Sequence, residues 1–207
     1  MKLSVVRVLN FVARVGDLRV HALNENEAIK ANKFLPHAES IDVVQNGVPS
    51  DILAARMQYP QRSSKSGDII IGCMSRIAPK KNQLALIALA ALIRDSRPDL
   101  FDVIRFSIDG SVEDAAYAQS LTEAVAAKNL NEKFDFRDSV QFDERANYIS
   151  SYDIFFFPSK SEGMPYVVLE AVALGVLPIV SKTSACDFVE PFGGIVYEEL
   201  ELSLIHI

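Results

Sequence analysis

Along the second two-thirds of the chain, apolar residues come in short runs whose period changes from run to run. Residues 68–74, 103–108, 133–136, 154–157 and 177–180 are rich in Ile, Val, Leu and Phe and read as strands. Between most of them the period lengthens to that of a helix. Residues 82–94 are rich in alanine and leucine, 112–128 show amphipathic spacing, and 165–174 form an apolar segment opened by Gly163 and Pro165. The run Ile69-Ile70-Ile71 does not alternate with polar residues, so both faces of that strand are buried. Buried strands alternating with helices predict an α/β fold with a doubly wound parallel sheet.

The earlier part of the chain is a different unit. Residues 18–23 read as a strand and 26–34 as a helix, and 41–44 leads into Asn46-Gly47-Val48-Pro49, a turn signal. A polar stretch, Gln61-Arg62-Ser63-Ser64-Lys65-Ser66, precedes the first strand of the sheet. The expected organisation is therefore a remnant of a preceding domain over 1–48, a linker over 49–67 and the sheet domain over 68–201. The last six residues, 202–207, can be encoded by CTG TCT CTT ATA CAC ATC, which resembles a transposase adapter, so they are read as a tail outside the fold.

Composition narrows the function classes. The 207 residues are 49% hydrophobic and 23% charged, enough to bury a core. A net charge of -6 and a pI near 5.1 provide no basic face for nucleic acid. The two cysteines, Cys73 and Cys186, lack metal-ligand spacing and read as small buried hydrophobes. Residues 84–93 are wholly apolar but too short to span a bilayer, and the first twenty residues lack a continuous signal-peptide core. A cytoplasmic protein is expected, with peripheral contact to the inner face of the membrane left open.

Two places carry chemistry. Glu162 and Glu170 stand eight positions apart in an otherwise apolar stretch, the first in the loop before a helix that begins near Pro165, the second inside it. Around Glu170 the helical neighbours are Tyr166, Val167, Ala173 and Leu174, so its carboxylate requires a ligand hydroxyl or an ion partner. The plainer alternative makes Glu162 a first-turn helix acid and Glu170 a core-edge residue. After the first strand of the sheet, the loop Ser75-Arg76-Ile77-Ala78-Pro79-Lys80-Lys81-Asn82 joins the planar fork of Arg76 to the point charge of Lys81. In an open parallel sheet such a loop lies where ligands bind, and this pair suits a diphosphate; otherwise it is a solvated basic loop. Asp109-Gly110-Ser111 reads as a plain turn, and His21 and His37 belong to no catalytic constellation.

The ordered set Asn46-Gly47-Val48, Arg76 with Lys81, Asp109-Gly110, the run from Asp153 to Ser159 and Glu162 with Glu170 resembles the carboxyl-terminal domain of family-four retaining glycosyltransferases. The likeness runs from about His21 to Tyr197. Such enzymes have the GT-B architecture, two Rossmann-like domains facing across a cleft. The resemblance implies that Arg76 and Lys81 bind the donor diphosphate and stabilise its departure, and that Glu162 lies near the transferred sugar. It implies further that backbone amides at Gly163 and Met164 meet donor oxygens and that Glu170 accepts hydrogen bonds from the ribose. The partners implied are a nucleotide sugar and a saccharide or lipid-linked acceptor, with no cofactor and no metal.

Three departures from the family pattern bear on the site. Ser75 and Asn82 stand where glycines are common, and the Phe136-Arg137-Asp138-Ser139 segment lacks the usual glycine near the base. The resemblance also implies that most of the acceptor-side domain lies outside this sequence, so that the chain binds donor with little or no transfer of its own. A nucleotide-sugar epimerase and a non-catalytic binding module on the same fold remain alternatives. A nicotinamide oxidoreductase is disfavoured, since no G-x-G-x-x-G follows a strand.

Overall fold

The computed structural model describes residues 2–58, 67–141, 144–184 and 186–198. The expected tail at 202–207 and the polar stretch at 61–66 lie outside the described residues. The chain divides into two compact units, Met1–Gly47 and Val48–Ile207.

The first unit holds helix α1 (Lys2–Val15), strand β1 (Arg19–Ala22), helix α2 (Glu25–Phe34) and strand β2 (Ser40–Val43). β1 and β2 pair in parallel, from Arg19 opposite Ser40 to Ala22 opposite Val43. α2 starts where Asn24 caps it: the Asn24 side chain accepts from the Glu27 amide at 2.9 Å, and Glu27 in turn accepts from the Leu23 amide at 3.0 Å.

The second unit begins with helix α3 (Ser50–Gln58), inside the segment expected to be a linker. That expectation is corrected by packing. Ile52 and Ala55, three positions apart, are buried in the same cluster as Ala146, Ile149, Val168 and Ala171, and the Arg56 guanidinium donates to the Leu174 carbonyl at 2.5 Å. Two buried anchors in a nine-residue helix leave little periodicity to read in sequence.

The sheet follows. Its strands are β3 (Ile69–Met74), β4 (Ile104–Asp109), β5 (Phe134–Arg137), β6 (Ile154–Phe157), β7 (Leu177–Ser181) and β8 (Ile195–Tyr197). They are parallel throughout, in the order β5-β4-β3-β6-β7-β8. The connecting helices are α4 (Leu84–Ser96), α5 (Pro98–Asp102), α6 (Ala115–Ala127), α7 (Arg145–Ser150) and α8 (Tyr166–Leu174). This is the doubly wound order of a Rossmann-like sheet, in which the chain winds outward from β3 to β5, returns beside β3, and winds the other way.

Alternate strand residues feed two cores. Ile71, Cys73, Phe106, Ile108 and Phe156 pack with α4 and α6, whereas Met74, Phe155, Phe157 and Val180 pack with α3, α7 and α8. Both faces are therefore covered around β3, which explains the unbroken isoleucine run. Cys73 and Cys186 are buried as expected, and burial pushes each thiol up to about 12. α6 begins three residues later than its periodicity suggests, because Asp114 caps it by accepting from the Tyr117 amide, while Val112 pairs with Ile77 in an isolated bridge. Among the described residues, no helix is long and apolar enough to cross a membrane.

Candidate active site

The winding reverses between β3 and β6, and the loops after these two strands meet at their carboxyl ends. The Lys160 amide fastens them together by donating to the Lys80 carbonyl at 2.9 Å, and Ser159 Oγ lies 3.3 Å from the same carbonyl. Ser159 is itself fixed from β7, since its carbonyl accepts from Ser181 Oγ at 2.6 Å and from Thr183 Oγ1 at 3.1 Å.

Across this junction Lys81 Nζ donates to Glu162 Oε1 at 2.7 Å. Only 13% of the Lys81 side chain and 12% of the Glu162 side chain is exposed, so the pair is sheltered from water and screening. Ser159 Oγ donates to the same carboxylate oxygen, and Lys81 Nζ lies 5.5 Å from the centre of the Phe157 ring. Burial alone would raise the Glu162 carboxyl; the hydrogen bonds from Lys81 and Ser159 outweigh it and hold the group below the usual carboxylate range.

The loop carrying Lys81 is held from beneath. Gln83 is wholly buried, and its Nε2 donates to Ser75 Oγ at 3.0 Å and to the Arg76 carbonyl at 2.9 Å. Asn82 adopts φ 57°, the left-handed region that glycine enters freely and asparagine tolerates best among other residues. The asparagine therefore preserves the turn that a glycine would make. Asn82→Gly is expected to change unfolding free energy by less than about 0.5 kcal/mol, and Asn82→Val to lower it by about 2 kcal/mol in urea titrations.

Arg76 is placed otherwise. Its Nη1 lies 2.5 Å from Glu113 Oε2 in an ion pair whose members are 64% and 50% exposed. An exposed pair of this kind contributes at most about 1 kcal/mol, so it holds the guanidinium weakly. The structure thus brings Lys81 and Glu162 together and leaves Arg76 on the same loop, turned to Glu113.

Gly163 and Met164 lie in the loop that leads into α8, with Met164 buried, and the helix starts at Tyr166 after Pro165 with no side-chain cap. The positive end of a helix dipole suits an anion. Glu170, one turn and a half into α8, is fully buried. Arg145 Nη2 stands 2.8 Å from its Oε1 in an ion pair, and neither Glu170 oxygen accepts a hydrogen bond. Burial raises the Glu170 carboxyl above the usual range; Arg145 opposes this and Asp51 adds to it.

A second polar group lies under the neighbouring strand ends. The buried Asp109 accepts from Ser107 Oγ at 2.8 Å and from the Tyr152 hydroxyl, and Arg137 Nε stands 3.8 Å away. The Tyr152 ring lies over Gly72, where any side chain would collide with it. Gln83, Ser159, Ser181, Arg145 and this Asp109 group were not legible as site or supporting residues in sequence.

Residues 56–199 match the model of the family described as glycosyl transferases group 1, well over half of the chain. The chain belongs to that family. Among curated relatives, a GDP-mannose-dependent monoacylated alpha-(1-6)-phosphatidylinositol monomannoside mannosyltransferase of Corynebacterium glutamicum is 32% identical over 138 residues, 62% of this chain and 34% of that protein. A D-inositol 3-phosphate glycosyltransferase of an Arthrobacter species is 27% identical over 177 residues, 80% of this chain and 41% of that protein. The chain thus spans well under half the length of these curated relatives.

Solved structures share the fold. Anabaena Alr3699/HepE in complex with UDP and glucose superimposes with a TM-score of 0.71 at 22% identity, over 97% of this chain and 55% of that one. A UDP-forming trehalose-phosphate synthase from Burkholderia xenovorans gives 0.77 at 13% identity, over 94% and 53%. This group 1 glycosyltransferase chain therefore has the Rossmann-like α/β sheet of GT-B enzymes.

Proposed function

We propose that this glycosyltransferase chain binds the donor, a nucleoside diphosphate sugar, and presents it for transfer to a saccharide or lipid-linked acceptor with retained anomeric configuration. The observation that carries the reading is the sheltered Lys81–Glu162 contact at the reversal point of the sheet. Lys81, with Arg76 swung from its exposed pair, meets the diphosphate; both cations and the amides near Gly163 and Met164 stabilise the charge that grows on the departing phosphate. Glu162, released from Lys81 as the phosphates take its place, faces the transferred sugar, and Glu170 accepts the ribose hydroxyls. The reading assigns the diphosphate's charge to these groups and includes no metal or cofactor. The chain's share of its relatives' length supports a donor-binding part whose acceptor groups lie in a further domain, with little transfer by the chain itself.

Titration calorimetry of the chain with UDP, GDP and ADP tests this. One base is expected to bind selectively, and Glu170→Ala to weaken that binding by roughly 10- to 100-fold. A folded chain that binds none of the three, or binds one equally well after the substitution, contradicts the proposal.

A further inference from the structure

The packing of α7 on α8 brings Arg145 and Glu170 into an ion pair of unusual geometry. A purely structural Arg–carboxylate bridge gains most from two parallel hydrogen bonds. Here a single close approach of Nη2 to Oε1 makes none, and both oxygens of a wholly buried carboxylate are left to accept. Of the two side chains only Arg145 reaches solvent, with 27% of its surface exposed.

We propose that Arg145 is a positioning residue of the donor site, whose guanidinium holds Glu170 as a carboxylate and leaves its oxygens directed at the ribose. The inference rests on the reading of Glu170 as the ribose acceptor. Its physical basis is the cost of an isolated buried charge, which protonates rather than remain unpaired. The ionisable groups on the elements packed around Glu170 are Arg145 and Tyr148 on α7 with Glu144 just before it, Asp51 and Arg56 on α3, and Tyr166 on α8; β6 and β7 contribute none. Arg56 is engaged with the Leu174 carbonyl, and Asp51 works against the ionised form of Glu170. Arg145 is thus the cation that keeps Glu170 an acceptor at neutral pH.

The test is calorimetry on the full chain between about pH 5 and pH 9, with the tightest-binding of UDP, GDP and ADP and its 2′,3′-dideoxy form. Burial has raised Glu170, so the ionised acceptor is lost as pH falls through its elevated value, and wild-type affinity falls with it. Arg145→Met is expected to move that fall upward by about one to two pH units, Arg145→Gln to do the same, and Arg145→Lys to restore most of the wild-type profile. Glu170→Gln is expected to flatten it, and the dideoxy form to show no shift in any variant. Thermal melts report folding, and the glutamine variant separates charge from packing. A wild-type profile in folded Arg145→Met or Arg145→Gln, with ribose discrimination intact, overturns the role of Arg145 alone. Equal binding of ribose and dideoxy forms by the wild type removes the ribose reading beneath it.

Discussion

Lys81→Ala is expected to weaken nucleoside diphosphate binding by roughly 30- to 150-fold, the 2–3 kcal/mol of a hydrogen bond to a charged group. The loss has two sources. The ammonium no longer meets the phosphates, and Glu162, deprived of its cation, repels them. The same substitution strands a sheltered carboxylate that keeps the Ser159 hydroxyl as a donor but has lost its cation, so unfolding free energy is expected to fall by about 3 kcal/mol. Lys81→Ala combined with Glu162→Gln removes the orphaned charge and is expected to recover much of the stability but none of the binding. Calorimetry and urea titration read the two effects separately, and a Lys81→Ala chain that binds and unfolds like wild type sinks the assignment.

The largest effect on the fold itself is expected at Gly110. Its φ of 146° suits glycine alone, and a Cβ would stand 2.7 Å from the Ser75 carbonyl carbon and closer still to its oxygen. Because Ser75 opens the loop that carries Arg76 and Lys81, the collision distorts the site as well as the sheet edge. Gly110→Ala is therefore expected to cost about 3–5 kcal/mol, the sum of backbone strain and overpacking. Gly193 provides the comparison: its φ is 81° with no atom within 4 Å of the added carbon, so Gly193→Ala is expected to cost about 1 kcal/mol. Equal losses at the two positions in urea titrations would show that strain, not the close approach to Ser75, sets the requirement.

Five strands of the sheet, β3 to β7, were legible as short apolar runs, and the structure places them within about a residue of where that pattern puts them. α3, α7 and β8 were not, since six or nine residues with two buried anchors, or three residues of strand, do not complete a recognisable period. Lys81 and Glu162 could be singled out by residue type and spacing, but their contact spans 81 positions and exists only because β6 returns beside β3. Gln83, Ser159 and Arg145 escaped for the same reason: each looks ordinary beside its sequence neighbours and gains its role from a partner brought near by folding. Asn82 is the converse case, a departure from the family pattern that the backbone explains.

The most direct test of the central claim is a crystal structure of the chain with the nucleoside diphosphate it binds best. The account predicts phosphate oxygens about 3 Å from Lys81 Nζ, Glu162 released from that lysine, and a ribose hydroxyl about 3 Å from the Glu170 carboxylate. A nucleotide seated away from the junction of β3 and β6, with Lys81 still bound to Glu162, would contradict it.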